Sequence, residues 1–211
     1  MIPIWKKGKD KGKTTSYRPI SLTSCVSKTM ERIINLRMKW YLESEAIIVN
    51  QQAGFRQCHS TEDQATYLSQ EIEDSFQDKK GVLAVWIDLQ KAFDKVWANG
   101  LVKKLEMAGI QGRMLKWTKS YLHNRQARVK VNNCHSKKLC LRHGVPQGGV
   151  LSPTLFTLYI NDLVQELPLG VKAALYADDI AMWCSEEHAS TATLRMQKAA
   201  DVISRWTENG M

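Results

Sequence analysis

The sequence has no apolar run approaching the ~18 residues that cross a bilayer. It also has no short apolar core behind a basic start, so neither a membrane span nor a secretory signal is visible. There is no C-x-x-C pair. Five cysteines (Cys25, Cys58, Cys134, Cys140, Cys184) form an odd, scattered set, which argues against a disulfide framework and predicts an intracellular chain with reduced thiols. Internal repeats, low-complexity tracts and Pro/Ser-rich linkers are likewise missing. What is present is an ordinary globular composition, 44% hydrophobic and 24% charged over 211 residues, enough for one substantial domain or two small ones.

The net charge of +9 is unevenly spread. Residues 1–40 carry ten Lys/Arg against two acids and residues 103–142 eleven against one; residues 41–102 carry five against ten and residues 143–211 four against eight. Two basic blocks alternating with two acidic ones suggest a polyanion on the first pair and a separate task for the carboxylates of the second. Plain solvated basic faces are the alternative that charge alone leaves open.

Hydrophobic spacing predicts a helix from Ser24 (Val26, Met30, Ile33, Ile34, then Trp40 or Tyr41) and a second after the start signal Ser60-Thr61-Glu62-Asp63, with Ala65, Leu68, Ile72 and Phe76 on its stripe. The continuous run Val82–Ile87 reads as a central strand covered on both faces, ending at Asp88. Helices are expected over about 95–108 and 111–123, a strand over Arg125–Val131, and a turn at Asn132-Asn133. A helix is expected from about Pro153 to Leu167, then strands 173–177 and 180–184 with Asp178-Asp179 as the hairpin turn. A last helix carries Leu194, Ile203 and Trp206 on its apolar stripe. Helices and strands mix without regular alternation, which gives an α+β fold.

Three carboxylates at strand ends are the most informative feature. Asp88 closes an apolar strand, and Asp178 and Asp179 are adjacent at a hairpin tip. Carboxylates beside so much apolar surface are costly unless paired or bound to a cation, and neighbours of like charge repel or recruit a divalent metal. If the strands are adjacent, the three would bind hard Mg²⁺ through oxygen. An Asp-Asp pair also simply makes a good turn.

Tyr176-Ala177-Asp178-Asp179, Asp88-Leu89-Gln90-Lys91-Ala92-Phe93-Asp94 and Gly144–Pro153 between them resemble, in order, a reverse transcriptase. Tyr17-Arg18-Pro19-Ile20-Ser21-Leu22, Gly54-Phe55-Arg56 with Ser60-Thr61, and Tyr159–Leu163 are similar to the non-LTR (LINE-type) retrotransposon branch. The resemblance covers nearly the whole chain. It implies a right-hand polymerase fragment with a mostly antiparallel palm sheet packed by helices: about 1–80 mostly fingers and about 81–211 mostly palm, with finger or connecting elements interspersed and the thumb absent. Asp88, Asp178 and Asp179 match the catalytic, metal-binding carboxylates, which hold two Mg²⁺ ions, with Mn²⁺ as a substitute. Phe93 matches the gate against a 2′-hydroxyl. Gln147 and Gly148 match the loop lining the template–nucleotide pair, and Arg56 and Arg18 would meet the nucleotide. Lys6, Lys7, Lys13 and Gly149 would contact nucleic acid. The implied partners are an RNA template, a DNA primer and dNTPs, with no membrane. Cys58 stands where the family often has Gly, and Gly149 where LINE elements more often have Ser.

The family pattern continues past Met211 into a primer grip and thumb, so residues 1–211 are expected to retain template–primer and extend it poorly. The rival reading is a truncated, catalytically inactive remnant that only binds nucleic acid. A viral RNA-copying polymerase is disfavoured by Ala177 and Phe93. Gly8–Thr14 resembles a phosphate-binding loop, but its glycine spacing is one residue short and no buried strand precedes it. Cys134-His135 with Cys140 and His143 fits no common zinc spacing.

Overall fold

A computed structural model describes residues 1–210, with side chains through Glu208. In chain order, β1 (Ile2–Trp5) and β2 (Tyr17–Ile20) are followed by α1 (Cys25–Ser44), α2 (Thr61–Gln77) and β3 (Gly81–Asp88). Next come α3 (Ala92–Lys95), α4 (Ala98–Met107) and α5 (Gly112–Leu122), then the short strands β4 (Arg125–Ala127), β5 (Lys130–Val131), β6 (Cys134–His135) and β7 (Leu139–Leu141). The chain ends with α6 (Ser152–Tyr159), β8 (Lys172–Tyr176), β9 (Asp179–Glu186) and α7 (Ala189–Gly210).

Two compact units share this chain, each discontinuous in sequence: Met1–Leu42 with Phe93–Phe156, and Glu43–Ala92 with everything from Thr157. The fold also sorts the charge. Both basic blocks lie wholly in the first unit, which holds 22 Lys/Arg against 4 Asp/Glu, a net of +18. The second holds 8 against 17, a net of −9.

In the basic unit, β1 and β2 pair antiparallel, so Gly8–Thr14 lies in a hairpin connection. That is not the strand–loop–helix setting a phosphate loop needs. Helix α1 departs from the expected stripe: it buries Glu31, Ile34, Met38 and Leu42, while Val26, Met30, Ile33 and Trp40 are exposed. The buried set recurs at three- and four-residue steps, and a helix 20 residues long with apolar residues on two sides lets tertiary packing choose between them. The strand expected over Arg125–Val131 is split into β4 and β5. Asn132 and Asn133, at φ 46° and 64°, make the turn into β6, a conformation asparagine tolerates better than other side chains do.

In the acidic unit the sheet order is β3-β9-β8, all antiparallel. The central strand of the sheet is therefore β9, with β3 at its edge. Trp183 meets Tyr67 of α2 edge-on at 5.5 Å, and Cys184, on the opposite face, lies with its thiol 3.6 Å from the Ala192 carbonyl of α7. At the sheet edge, β3 leaves Trp86 68% exposed. Helix α2 starts where the sequence signal puts it, with a reciprocal cap between Ser60 and Asp63. Helix α6 stops at Tyr159, eight residues short of expectation, because Asn161 leaves the helix to hold the 47–49 backbone (Nδ2 to Ile47 O, 2.8 Å; Val49 N to Oδ1, 2.8 Å). On α7 the buried stripe is Ala192, Met196, Ala199, Ile203 and Trp206, while Leu194 is exposed. Nine residues separate Leu194 from Ile203, half a turn out of phase.

Candidate active site

The β3–β9 register ends on the rung Asp88↔Asp179, and the β8–β9 register on Tyr176↔Asp179. Residues opposite one another in an antiparallel sheet share a face with Cβ atoms ~4.5–5.5 Å apart, so Asp88, Asp179 and Tyr176 form one row across three strands. Both carboxylates are exposed. The hairpin turn is Ala177-Asp178, one residue earlier than the sequence suggested, and Asp179 is already the first residue of β9. The three carboxylates thus sit on one rung and the adjacent turn. Among the described residues no set of three or more His, Cys, Asp or Glu side chains is gathered into a ligand cluster. That holds for the expected aspartates as well as for Cys134, His135, Cys140 and His143.

The turn is strained and externally held. Ala177 is buried with φ +60°, a conformation that favours glycine. Segment 51–54 runs beside β8, with Leu175 N donating to Gln51 O (2.8 Å) and Ala53 N to Leu175 O (2.9 Å). From it, the Gln52 side-chain oxygen accepts from Gly54 N (2.8 Å) and Ala177 N (3.3 Å). A Cβ at Gly54 would lie 2.1 Å from Ala177 N, so the two backbones meet only because residue 54 has no side chain. Gln52 gave no sequence signal, since the second of two adjacent glutamines is unremarkable until the fold buries it.

Arg56, expected at the nucleotide, turns inward. Its guanidinium forks onto Glu43 (Nε–Oε1 2.9 Å, Nη2–Oε2 2.6 Å) and Nη1 donates to the carbonyls of Val49 and Gln52 (2.9 and 3.1 Å), with the side chain 9% exposed. The bidentate donation is real, but its acceptors lie within the protein.

The other expected residues lie in the basic unit, Phe93, Gln147, Gly148 and Gly149 on or beside the loop 144–151 and the lysines in the β1–β2 hairpin. Val145 N donates to Phe93 O (2.7 Å), and the half-buried Phe93 ring stacks on Phe156 at 4.6 Å. Ser21 N donates to Gln147 O (2.8 Å), tying the loop to the strand that carries an exposed Arg18. Gln147 is half-buried and Gly148 exposed. Lys7 and Lys13 are exposed and Lys6 half-buried in the β1–β2 hairpin, where Lys11 lies over the Trp5 ring.

Behind this loop is a fully buried carboxylate, Glu31, also unforeseen. Its Oε2 accepts from Val150 N (2.6 Å), Leu151 N (3.3 Å) and the Tyr121 hydroxyl (3.2 Å) at the start of α6. A charged acceptor suits the first turn of a helix. Gly149 is pressed into the same cluster: a Cβ there would be 2.5 Å from the Tyr121 hydroxyl and 2.7 Å from Ser152 Oγ. Burial, reinforced by Glu31, pushes the Tyr121 hydroxyl well above the ordinary phenol range, although its hydrogen bond to Ser152 opposes the shift.

Comparison with known proteins bears on the family and the fold. Residues 4–210 match the family "Reverse transcriptase (RNA-dependent DNA polymerase)". The chain is 39% identical over 98% of its length to the probable RNA-directed DNA polymerase from transposon BS of Drosophila melanogaster, and 32% identical over 99% to that of the mobile element jockey from the same organism. It spans 23% of each of those relatives. The fold is similar to telomerase from Candida albicans, with a TM-score of 0.65 at 14% identity over 92% of this chain and 38% of that one. Together, the ordered motifs and the antiparallel sheet carrying paired aspartates place this chain in the reverse transcriptase (RNA-dependent DNA polymerase) family, alongside the enzymes of non-LTR retrotransposons.

Proposed function

We propose that the chain is the nucleotidyl-transfer part of an RNA-directed DNA polymerase. A primer 3′-hydroxyl attacks the α-phosphorus of a dNTP; the new O–P bond forms as the α–β bridge breaks, and pyrophosphate leaves. The observation that carries this reading is the Asp88–Asp179 rung beside Asp178. Two exposed carboxylates across one rung repel unless a hard cation is shared between them, and an all-oxygen donor set fits Mg²⁺ or Mn²⁺. Asp88, Asp178 and Asp179 are the residues that would hold such ions. Two of them, when bound, would lower the pKa of the primer hydroxyl and neutralise the leaving oxygens.

The charge map supports the division of labour. The +18 unit is suited to the template–primer backbone, through Lys6, Lys7 and Lys13, with binding that weakens steeply as salt rises, and its exposed Arg18 is kept for the nucleotide. In that unit we assign Gln147 and Gly148 to the nascent base pair and Phe93 to exclusion of the 2′-hydroxyl, while the buried Gly149 is better read as a packing position against Tyr121 and Ser152. Arg56 is better read as a support of the 49–56 loop.

Single-nucleotide addition to a template–primer by excess protein, with Mg²⁺, tests the assignment without depending on how far synthesis runs. Asp88→Asn and Asp179→Asn should each slow addition on the order of 10³-fold or more while template–primer affinity holds. Addition by either variant at near wild-type rate would overturn the reading.

A further inference from the structure

We propose that Gln52 is a positioning residue that sets the conformation of the Ala177-Asp178 turn and thereby the placement of Asp178 and Asp179; this rests on the polymerase reading above. The turn position at positive φ is taken by Ala177, at +60°, a residue that does not favour it. Something outside the hairpin must impose that conformation. Gln52 is placed to do so: it is 1% exposed, and its Oε1 bridges Gly54 N and Ala177 N. Both partners are N–H donors, so the orientation of the amide is dictated by chemistry, with the oxygen toward the turn.

The support behind Gln52 is continuous within the acidic unit. Its carbonyl accepts from Arg56, and Arg56 is fixed by its fork on Glu43. The close approach of Gly54 to the Ala177 backbone completes the clamp. Simple filling of space does not explain the choice of residue. The Gln52 Nε2 is buried without a hydrogen-bond partner, a cost that an apolar side chain of similar size would avoid. The acceptor oxygen is the function that repays it. A glutamate would accept equally well, but would bring a further negative charge beside two aspartates.

The test compares wild type, Gln52→Met, which keeps length and removes the acceptor, and Gln52→Met with Ala177→Gly, which lets the turn hold positive φ unaided. Three quantities are read: the single-nucleotide addition rate, the Mn²⁺ concentration giving half-maximal binding to the protein without nucleic acid, and amide exchange at Ala177. The expected result for Gln52→Met is addition slowed by about 10- to 100-fold, since ~1 Å of misplacement can cost that much. Mn²⁺ binding weakens severalfold and Ala177 exchange accelerates. Ala177→Gly on that background recovers a large part of the rate and the Mn²⁺ affinity. Wild-type metal affinity and exchange in Gln52→Met would overturn the proposal. So would a loss that follows only the thermal midpoint and that Ala177→Gly fails to relieve. If Gln52→Met does not fold, Gln52→Asn, which withdraws the acceptor by one methylene, carries the same comparison. If wild type adds no nucleotide, the polymerase reading fails on its own, and metal binding and exchange still decide the role of Gln52.

Discussion

The two units solve one problem with different chemistry. Each holds an irregular segment, loop 144–151 in the basic unit and the Ala177-Asp178 turn in the acidic unit, by one buried side-chain oxygen that accepts backbone N–H groups. In the unit of net charge +18 the anchor is an acid, Glu31; in the unit of net charge −9 it is a neutral amide, Gln52. An acidic acceptor, when charged, makes stronger hydrogen bonds and complements the first turn of α6. Beside the Asp88, Asp178 and Asp179 set a further carboxylate would be repelled, so the weaker neutral acceptor serves there. The lesson is that the local field, and not only the geometry of the donors, selects the charge of an anchor.

Exchanging the anchors' chemistry should expose that difference. Removing the acceptor in the basic unit, Glu31→Leu, strands the Val150 and Leu151 amides and the Tyr121 hydroxyl and should cost roughly 3 kcal/mol, read from denaturant unfolding. Glu31→Gln keeps shape and one acceptor and should cost about 1 kcal/mol. Equal losses in the two variants would mean that the charge of Glu31 is irrelevant and the contrast with Gln52 accidental.

A smaller effect is expected at Phe93, whose backbone is tied to the Glu31-anchored loop through Val145. Phe93→Val should relax discrimination against ribonucleotides on the order of tenfold, measured as the ratio of dNTP to rNTP incorporation. An unchanged ratio would return Phe93 to a packing role against Phe156.

The smallest effect concerns pH. The Tyr121 hydroxyl holds its proton more tightly in the folded chain than in the unfolded one, where the ordinary value near 10 applies. Its contribution is therefore complete below that value. As pH rises above it, the unfolded chain releases a proton that the folded chain keeps, and stability falls. Tyr121→Phe should flatten this alkaline decline in unfolding midpoints above about pH 10. A decline of unchanged slope would place its origin elsewhere.

Much of the fold was legible because its signals are local. Ser60 and Asp63 cap α2 through side chains three residues apart, Asn132 and Asn133 make their turn by intrinsic tolerance of positive φ, and β3 is an apolar run closed by Asp88. The paired aspartates and the motif order were likewise readable, since both are properties of a linear pattern. Where local signals were silent or evenly balanced, reading failed: α1 carries apolar residues on two sides, and α6 is ended by Asn161 bonds to a segment more than a hundred residues away.

The sequence by itself determined the family, the carboxylates and the positions of most elements, because short-range chemistry and residue order specify them. Only the tertiary structure decided that β9 rather than β3 lies at the centre of the sheet, that Arg56 faces Glu43, and that the turn begins at Ala177. It alone also gave Glu31 and Gln52 their roles. The physical reason is common to all of these. Burial, strand order and the partners of a long side chain are set by segments distant in the chain, and a polar residue becomes an anchor only when such packing removes it from water and leaves backbone N–H groups as its donors.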